Sequence, residues 1–222
     1  MWNIIGDQNW KDATVRVAVV AHWDTHPTSD RDPDPAKQAL STPGANANAS
    51  GVAVIAELAR VLNGHLPTGL GVEYVLTDGG DLGPKTDEMG LGAAAFVRDL
   101  KERPKPDYAI VVDMIGQKNL KVRMELNSLK TAKQLEYALY RQAAKLGLGE
   151  TFPMEFGLQI FDDHIPLHAG GIRSIALIDF EYLLHWHTST DTADQCSTES
   201  LAAVGALLQS WLQQDPPFSY GS

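Results

Sequence analysis

The chain predicts an α/β three-layer sandwich, a mostly parallel twisted central sheet with helices on both faces. Three observations carry this prediction. Apolar runs of strand length alternate with amphipathic stretches, the pattern of parallel strands joined by crossing helices. The strand candidates are apolar throughout, as strands covered on both faces are. Polar and small residues gather just after the strand ends, where open α/β sheets bind ligands. No repeat, low-complexity tract or linker divides the 222 residues, so a single domain with a sizeable core is expected.

The elements follow in order. Asn3-Ile4-Ile5-Gly6 reads as a strand and its exit, and Val15–Ala21 as a strand buried on both faces. A proline- and aspartate-rich loop runs from Thr25 to Pro43; a loop this long in a compact domain serves a site. The small-residue stretch Pro43–Gly51 leads through Ser50, a candidate N-cap, into an apolar helix ending at Leu62. Val72–Thr77 is the next strand, ending in Asp78-Gly79-Gly80-Asp81, and Leu91–Leu100 a helix. Tyr108–Met114 is the most apolar strand and Lys121–Leu126 a further one. Ser128–Leu146 carries Leu129, Leu135, Leu139 and Leu146 near one side, as an amphipathic helix does. Ser174–Ile178 is a short strand before the aromatic and His-rich run Asp179–Asp191. Ser197 caps the last helix, Glu199–Leu212, and Pro216-Pro217 follow it.

Composition excludes several function classes. A formal net charge of -10 argues against a nucleic-acid partner, which needs a basic surface. No apolar run reaches the roughly 18–20 residues of a membrane span, and no charged-then-apolar signal pattern opens the chain. The one cysteine, Cys196, cannot form an internal disulfide and reads as a small buried hydrophobe.

The chemistry lies at the strand ends. His22 and Asp24 sit two apart at the end of a strand and so can share a face. Asp81, Asp113, Asp163, His164, His187 and Asp191 fall at or just after other strand ends. Any one of them alone is ordinarily a turn, a cap or a packed side chain; gathered at one edge, imidazoles and carboxylates are the ligand set of a hydrolytic zinc. No Gly-rich phosphate loop, Ser elbow or Cys-His pair offers a rival chemistry.

Ordered motifs from residue 3 to about 205 resemble the zinc exopeptidase family that contains aminopeptidases and glutaminyl cyclases. They are His22-Trp23-Asp24-Thr25, the Pro43–Gly51 loop with its helix, Asp78-Gly79-Gly80-Asp81, Asp113-Met114-Ile115-Gly116, Asp162-Asp163-His164-Ile165-Pro166 and Trp186-His187-Thr188. The last two favour the cyclase branch. The resemblance implies a peptide or small amide substrate and a zinc cofactor held by Asp81, His187 and a loop acid. It implies assisting roles for Asp113 and Asp163, and, in aminopeptidase relatives, a second zinc on His22 and Asp113. Trp186, Trp23 and His164 are the candidates for lining a substrate slot. Relatives are often secreted or periplasmic.

Two departures qualify the resemblance. Ala47 stands where the family carries its metal-binding loop Asp, and Gly80 where it carries the proton-transfer Glu. Asp78 and Glu88 are the alternative acids nearby. Ala93-Ala94-Ala95 suggests a stripped pocket wall, and the helical segment that precedes the first strand in relatives is not seen. The expected activity is therefore a cyclase-like reaction, N-terminal glutamine to pyroglutamate with release of ammonia, impaired or altered. The alternatives are an aminopeptidase, or a catalytically dead or engineered scaffold with a truncated core. His26 and His185 are read as surface-loop imidazoles, with the sharper alternative that one replaces the lost ligand.

Overall fold

A computed structural model describes residues 1–83, 85–181 and 183–220. Among the described residues, five strands form one sheet: β1 (Ile4–Gln8), β2 (Val15–His22), β3 (Leu70–Thr77), β4 (Tyr108–Asp113) and β5 (Arg173–Ile178). Their order is β1-β3-β2-β4-β5, with β1 antiparallel to β3 and all other neighbours parallel. Five α-helices accompany them: α1 (Ser50–Val61), α2 (Leu91–Asp99), α3 (Leu126–Lys145), α4 (His164–Ala169) and α5 (Thr198–Leu212). No described helix is long and apolar enough to cross a membrane.

The two-residue period of a strand distributes the core. Val17, Val19 and Ala21 of β2 face α1, α3 and α5, whereas Ala18 and Val20 face α2 and α4. Both sheet faces are thus covered, which explains why these strands read as apolar throughout. β1 is an edge strand and keeps Ile4 and Ile5 exposed.

Two local features deliver the site. α1 crosses the sheet at Gly51, where a Cβ would lie 2.9 Å from that of Ala21 and closer still to the Val112 carbonyl. Only glycine permits that approach, and it brings the loop before α1 over the strand ends. That loop is a tight turn of π-helical form, Ala45–Ala49. Ser50 lies inside α1 and caps nothing: its hydroxyl donates to the Asn46 carbonyl at 2.6 Å and accepts from the Ile115 N–H at 3.2 Å. The expected N-cap is corrected accordingly. Ser197 does cap α5, accepting from the Ser200 N–H.

Lys121–Leu126 is not a strand of the sheet. Val122 and Met124 are buried, so the alternation is real. However, the N–H groups of Val122, Met124 and Leu126 pair with the carbonyls of Thr151, Glu155 and Leu158, a neighbouring irregular stretch. The run is extended but has only a single bridge, Met124 to Phe156.

Candidate active site

The carboxyl ends of β2, β3 and β4 bring His22, Thr77 and Asp113 to one edge. There a cleft enclosing about 40 Å³ is lined by His22, Ala47, Gly80, Asp81, Asp113 and Asp162, with Phe161, Phe180 and Trp186 among its apolar walls. The loop from 45 to 49 is held by Asp191, whose buried carboxylate accepts from the N–H groups of Asn46 at 2.9 Å and Ala47 at 3.1 Å. Asn46 in turn accepts from the Gly116 N–H at 2.5 Å. The turn after β3 is held in the same way: Asp24 accepts from Gly80 N–H at 2.8 Å and Asp81 N–H at 3.1 Å.

His22 is engaged at both ring nitrogens. Nδ1 lies 3.0 Å from the Asn48 amide and 3.5 Å from Asp24, and Nε2 lies 3.5 Å from Asp113. Burial works against the imidazolium, but Asp113 and Asp24 outweigh it and hold its pKa well above the ordinary value. Burial raises the Asp113 carboxyl despite His22. Asp162 and Asp163 are both pushed up to about 6, by burial first and then by the neighbouring carboxylates Asp113 and Asp162 respectively.

Asp81 is the link to the second cluster. One oxygen lies 2.6 Å from His187 Nε2 and the other 3.3 Å from His26 Nδ1. Burial opposes its ionisation, yet these two imidazoles hold the carboxyl well below the usual carboxylate range. The rings of His26 and His187 stack at 3.8 Å, 10° from parallel, and the other face of His187 meets Trp186. His26 is 5% exposed, which corrects its reading as a surface imidazole. His185 bonds to Thr190 Oγ1 at 2.8 Å.

The remaining sequence candidates scatter. Asp163 sits behind the cleft and accepts a bond from the Thr77 hydroxyl, while its neighbour Asp162 lines the cleft. His164 is buried with Nε2 3.1 Å from Glu125, which also accepts from the Ser128 N–H at the start of α3. Trp23 is 42% exposed, and its indole N–H donates to the Trp2 carbonyl. Asp78 accepts from the Trp2 N–H, and Glu88 packs on Gly83, so neither acid lines the cleft. Ala93 belongs to the core beneath the sheet rather than to a stripped wall. Sequence reasoning passed over Asp162, although it lies one residue from a named candidate. It also passed over Asp30, which carried no local signal beyond an acidic loop.

The cleft does not fit a catalytic zinc as its residues stand. Such a site keeps three protein ligands. Here Ala47 offers a methyl group, which leaves Asp81 and His187 short of a third ligand, and both nitrogens of His22 are engaged by Asn48, Asp24 and Asp113.

A family model, Peptidase family M28, matches residues 3–212. Aminopeptidase YwaD of Bacillus subtilis is 30% identical over 218 residues. That match covers 93% of this chain but only 43% of the relative's length. A leucine aminopeptidase precursor from Bacteroides thetaiotaomicron superposes with a TM-score of 0.91 at 31% identity, covering 96% of this chain and 76% of that one. The glutaminyl cyclase of Porphyromonas gingivalis superposes with a TM-score of 0.91 at 32% identity, covering 96% and 77%.

Proposed function

Since the chain belongs to Peptidase family M28, whose solved structures similar to it include aminopeptidases and glutaminyl cyclases, we propose that it takes the amino terminus of peptides in the manner of a glutaminyl cyclase, with turnover far below that of a member carrying both acids. One observation supports the cyclase branch over a two-metal aminopeptidase. His22, a second-metal position in the aminopeptidases that the sequence resembles, is bound at both nitrogens by Asn48, Asp24 and Asp113. Ala47 has no carboxylate with which to bridge two ions.

Cyclisation forms a bond between the α-amino nitrogen of an N-terminal glutamine and its side-chain amide carbon, and ammonia leaves. A proton must pass from the amine to the departing nitrogen. Asp113 and Asp162 are the cleft carboxyls placed to move it, the work that the residue at position 80 cannot do. Asp163 and Thr77 back them from behind. Asp81 draws the α-ammonium, and Trp186, Phe161 and Phe180 would pack on the glutamine methylenes. A cleft of about 40 Å³ holds an ion or a few waters rather than a glutamine side chain, so those aromatic walls must part for substrate.

Mass spectrometry of a Gln-initiated dipeptide, incubated with and without added zinc, tests the reading. Slow pyroglutamate formation that Asp113→Asn abolishes supports it. Release of free amino acids instead supports the aminopeptidase alternative. No turnover above buffer rejects both and leaves a scaffold that has kept the fold, a reading that the replacement of both acids favours.

A further inference from the structure

The geometry points to Glu125 as the positioning residue for the cleft acids, gripping the chain on both sides of Asp162-Asp163. Its Oε1 accepts from the Ile160 N–H at 2.9 Å, just before that pair. Its Oε2 lies 3.1 Å from Nε2 of His164, the residue directly after the pair. One carboxylate thus brackets the short stretch that brings Asp162 into the cleft and lays Asp163 on the Thr77 hydroxyl. Glu125 is not among the residues that line the cleft, so it acts only through the acids that it places.

The stretch needs such a hold because it has little structure of its own: residues 157–161 form neither helix nor strand. Its partners are the residues at the head of α3. Leu126 N–H donates to the Leu158 carbonyl at 3.0 Å, and the Asn127 side-chain amide donates to the Ile160 carbonyl at 2.9 Å. The head of α3 is in turn fixed to the sheet. Ser128 donates to Glu125 Oε2 through its N–H at 2.6 Å and its hydroxyl at 2.8 Å. The same hydroxyl accepts from the Ala176 N–H of β5 at 3.0 Å. Glu125 therefore carries the frame of the sheet to the acids at its edge.

Both partners of the bracket are deeply buried, with the side chains of Glu125 and His164 each 1% exposed. A carboxylate in that setting is tolerated only when its oxygens are filled. Burial opposes its ionisation, but His164 and the N–H groups of Asn127 and Ile160 hold the carboxyl down at about 2. The two oxygens do different work, one for Ile160 and one for Ser128 and His164. A glutamine has a single acceptor oxygen, and its amide nitrogen is a donor that cannot face the Ser128 N–H. Glu125→Gln therefore opens one side of the bracket while keeping the volume of the side chain. This inference rests on the assignment of Asp162 to proton transfer in the cyclisation.

The experiment compares Glu125→Gln with the wild-type full chain by crystal structure and by steady-state pyroglutamate formation. Asp162 is expected to leave its place in the cleft while the sheet superposes. The kcat should fall by about 100-fold at unchanged KM, the cost of misplacing a reacting group by about 1 Å. His164→Gln keeps a donor for Glu125 and should hold kcat within about threefold of wild type, whereas His164→Leu should repeat the loss. Val204→Ala, a truncation of a fully buried side chain in α5, lowers the melting temperature and should leave kcat unchanged. Should Glu125→Gln fail to fold, His164→Leu carries both measurements. No turnover by the wild-type chain refutes the functional reading alone, and the crystal structures then decide this one. The proposal is overturned if Asp162 keeps its place in the variant, if KM rises in place of a fall in kcat, or if the variant loses stability but no more kcat than Val204→Ala.

Discussion

Gly80 lies against the side chain of His22 so closely that a Cβ at position 80 would sit 2.7 Å from Nδ1 and overlap the His22 Cβ and Cγ. The position is therefore not an empty socket that could take a larger side chain unaided. Gly80→Ala is expected to destabilise the protein by about 1–3 kcal/mol through overpacking, or to push His22 off Asn48. Chemical denaturation with NMR of the His22 ring checks this; wild-type stability and an unmoved ring would contradict the packing. Reinstating a glutamate at 80 requires that His22 move as well.

Ala47 differs from Gly80 because its side chain already points into the cleft beside Asp81. Ala47→Asp should lower stability without metal, since a fourth carboxyl joins Asp81, Asp113 and Asp162 in a buried site. It should also create a cleft zinc site by adding a third ligand to Asp81 and His187. Calorimetric titration is expected to find one zinc per chain in Ala47→Asp, and none once Asp81→Asn is added to that variant.

Asp191 anchors the loop through two N–H groups and is fully buried. Asp191→Ala leaves both donors without that partner and should cost about 2–3 kcal/mol. The loss should appear as a lower denaturation midpoint at unchanged slope.

Glu136 on α3 is buried, and neither of its carboxylate oxygens has a hydrogen-bond partner among the described residues. Burial, reinforced by the Glu125 carboxylate, pushes its pKa from an ordinary 4.5 up to about 9. Between those values the folded chain holds a proton that the unfolded chain has released. Stability must therefore fall as pH rises from 4.5 to about 9. Glu136→Gln removes this dependence, and its advantage in melting temperature over wild type should grow steadily across that range. A constant difference at pH 5 and pH 8.5 would disprove the assignment.

Much of the architecture was legible because it is periodic. Val15–Ala21 and Tyr108–Met114 announce strands covered on both faces, and the leucine spacing of Ser128–Leu146 announces a helix. The failures were positions where a period is present but its partner is distant. Val122 and Met124 alternate as a strand does, yet their backbone partners lie in 151–158 rather than in the sheet. Ser50 looks like a cap until the π-helical turn before it supplies a different acceptor.

The sequence by itself determined the parallel sandwich, the edge at which polar groups collect and the presence of alanine at 47 and glycine at 80. These follow from side-chain pattern and residue identity, which need no knowledge of distant neighbours. Only the tertiary structure decided that His22 fills the space beside Gly80, that Asp162 rather than Asp163 lines the cleft, and that His26 and Asp30 reach His187. Asp32 and Ser189, which secure that last contact, are 157 residues apart in sequence. No local spacing encodes such a meeting; it arises when the sheet brings the loop after β2 and the segment after β5 to the same edge.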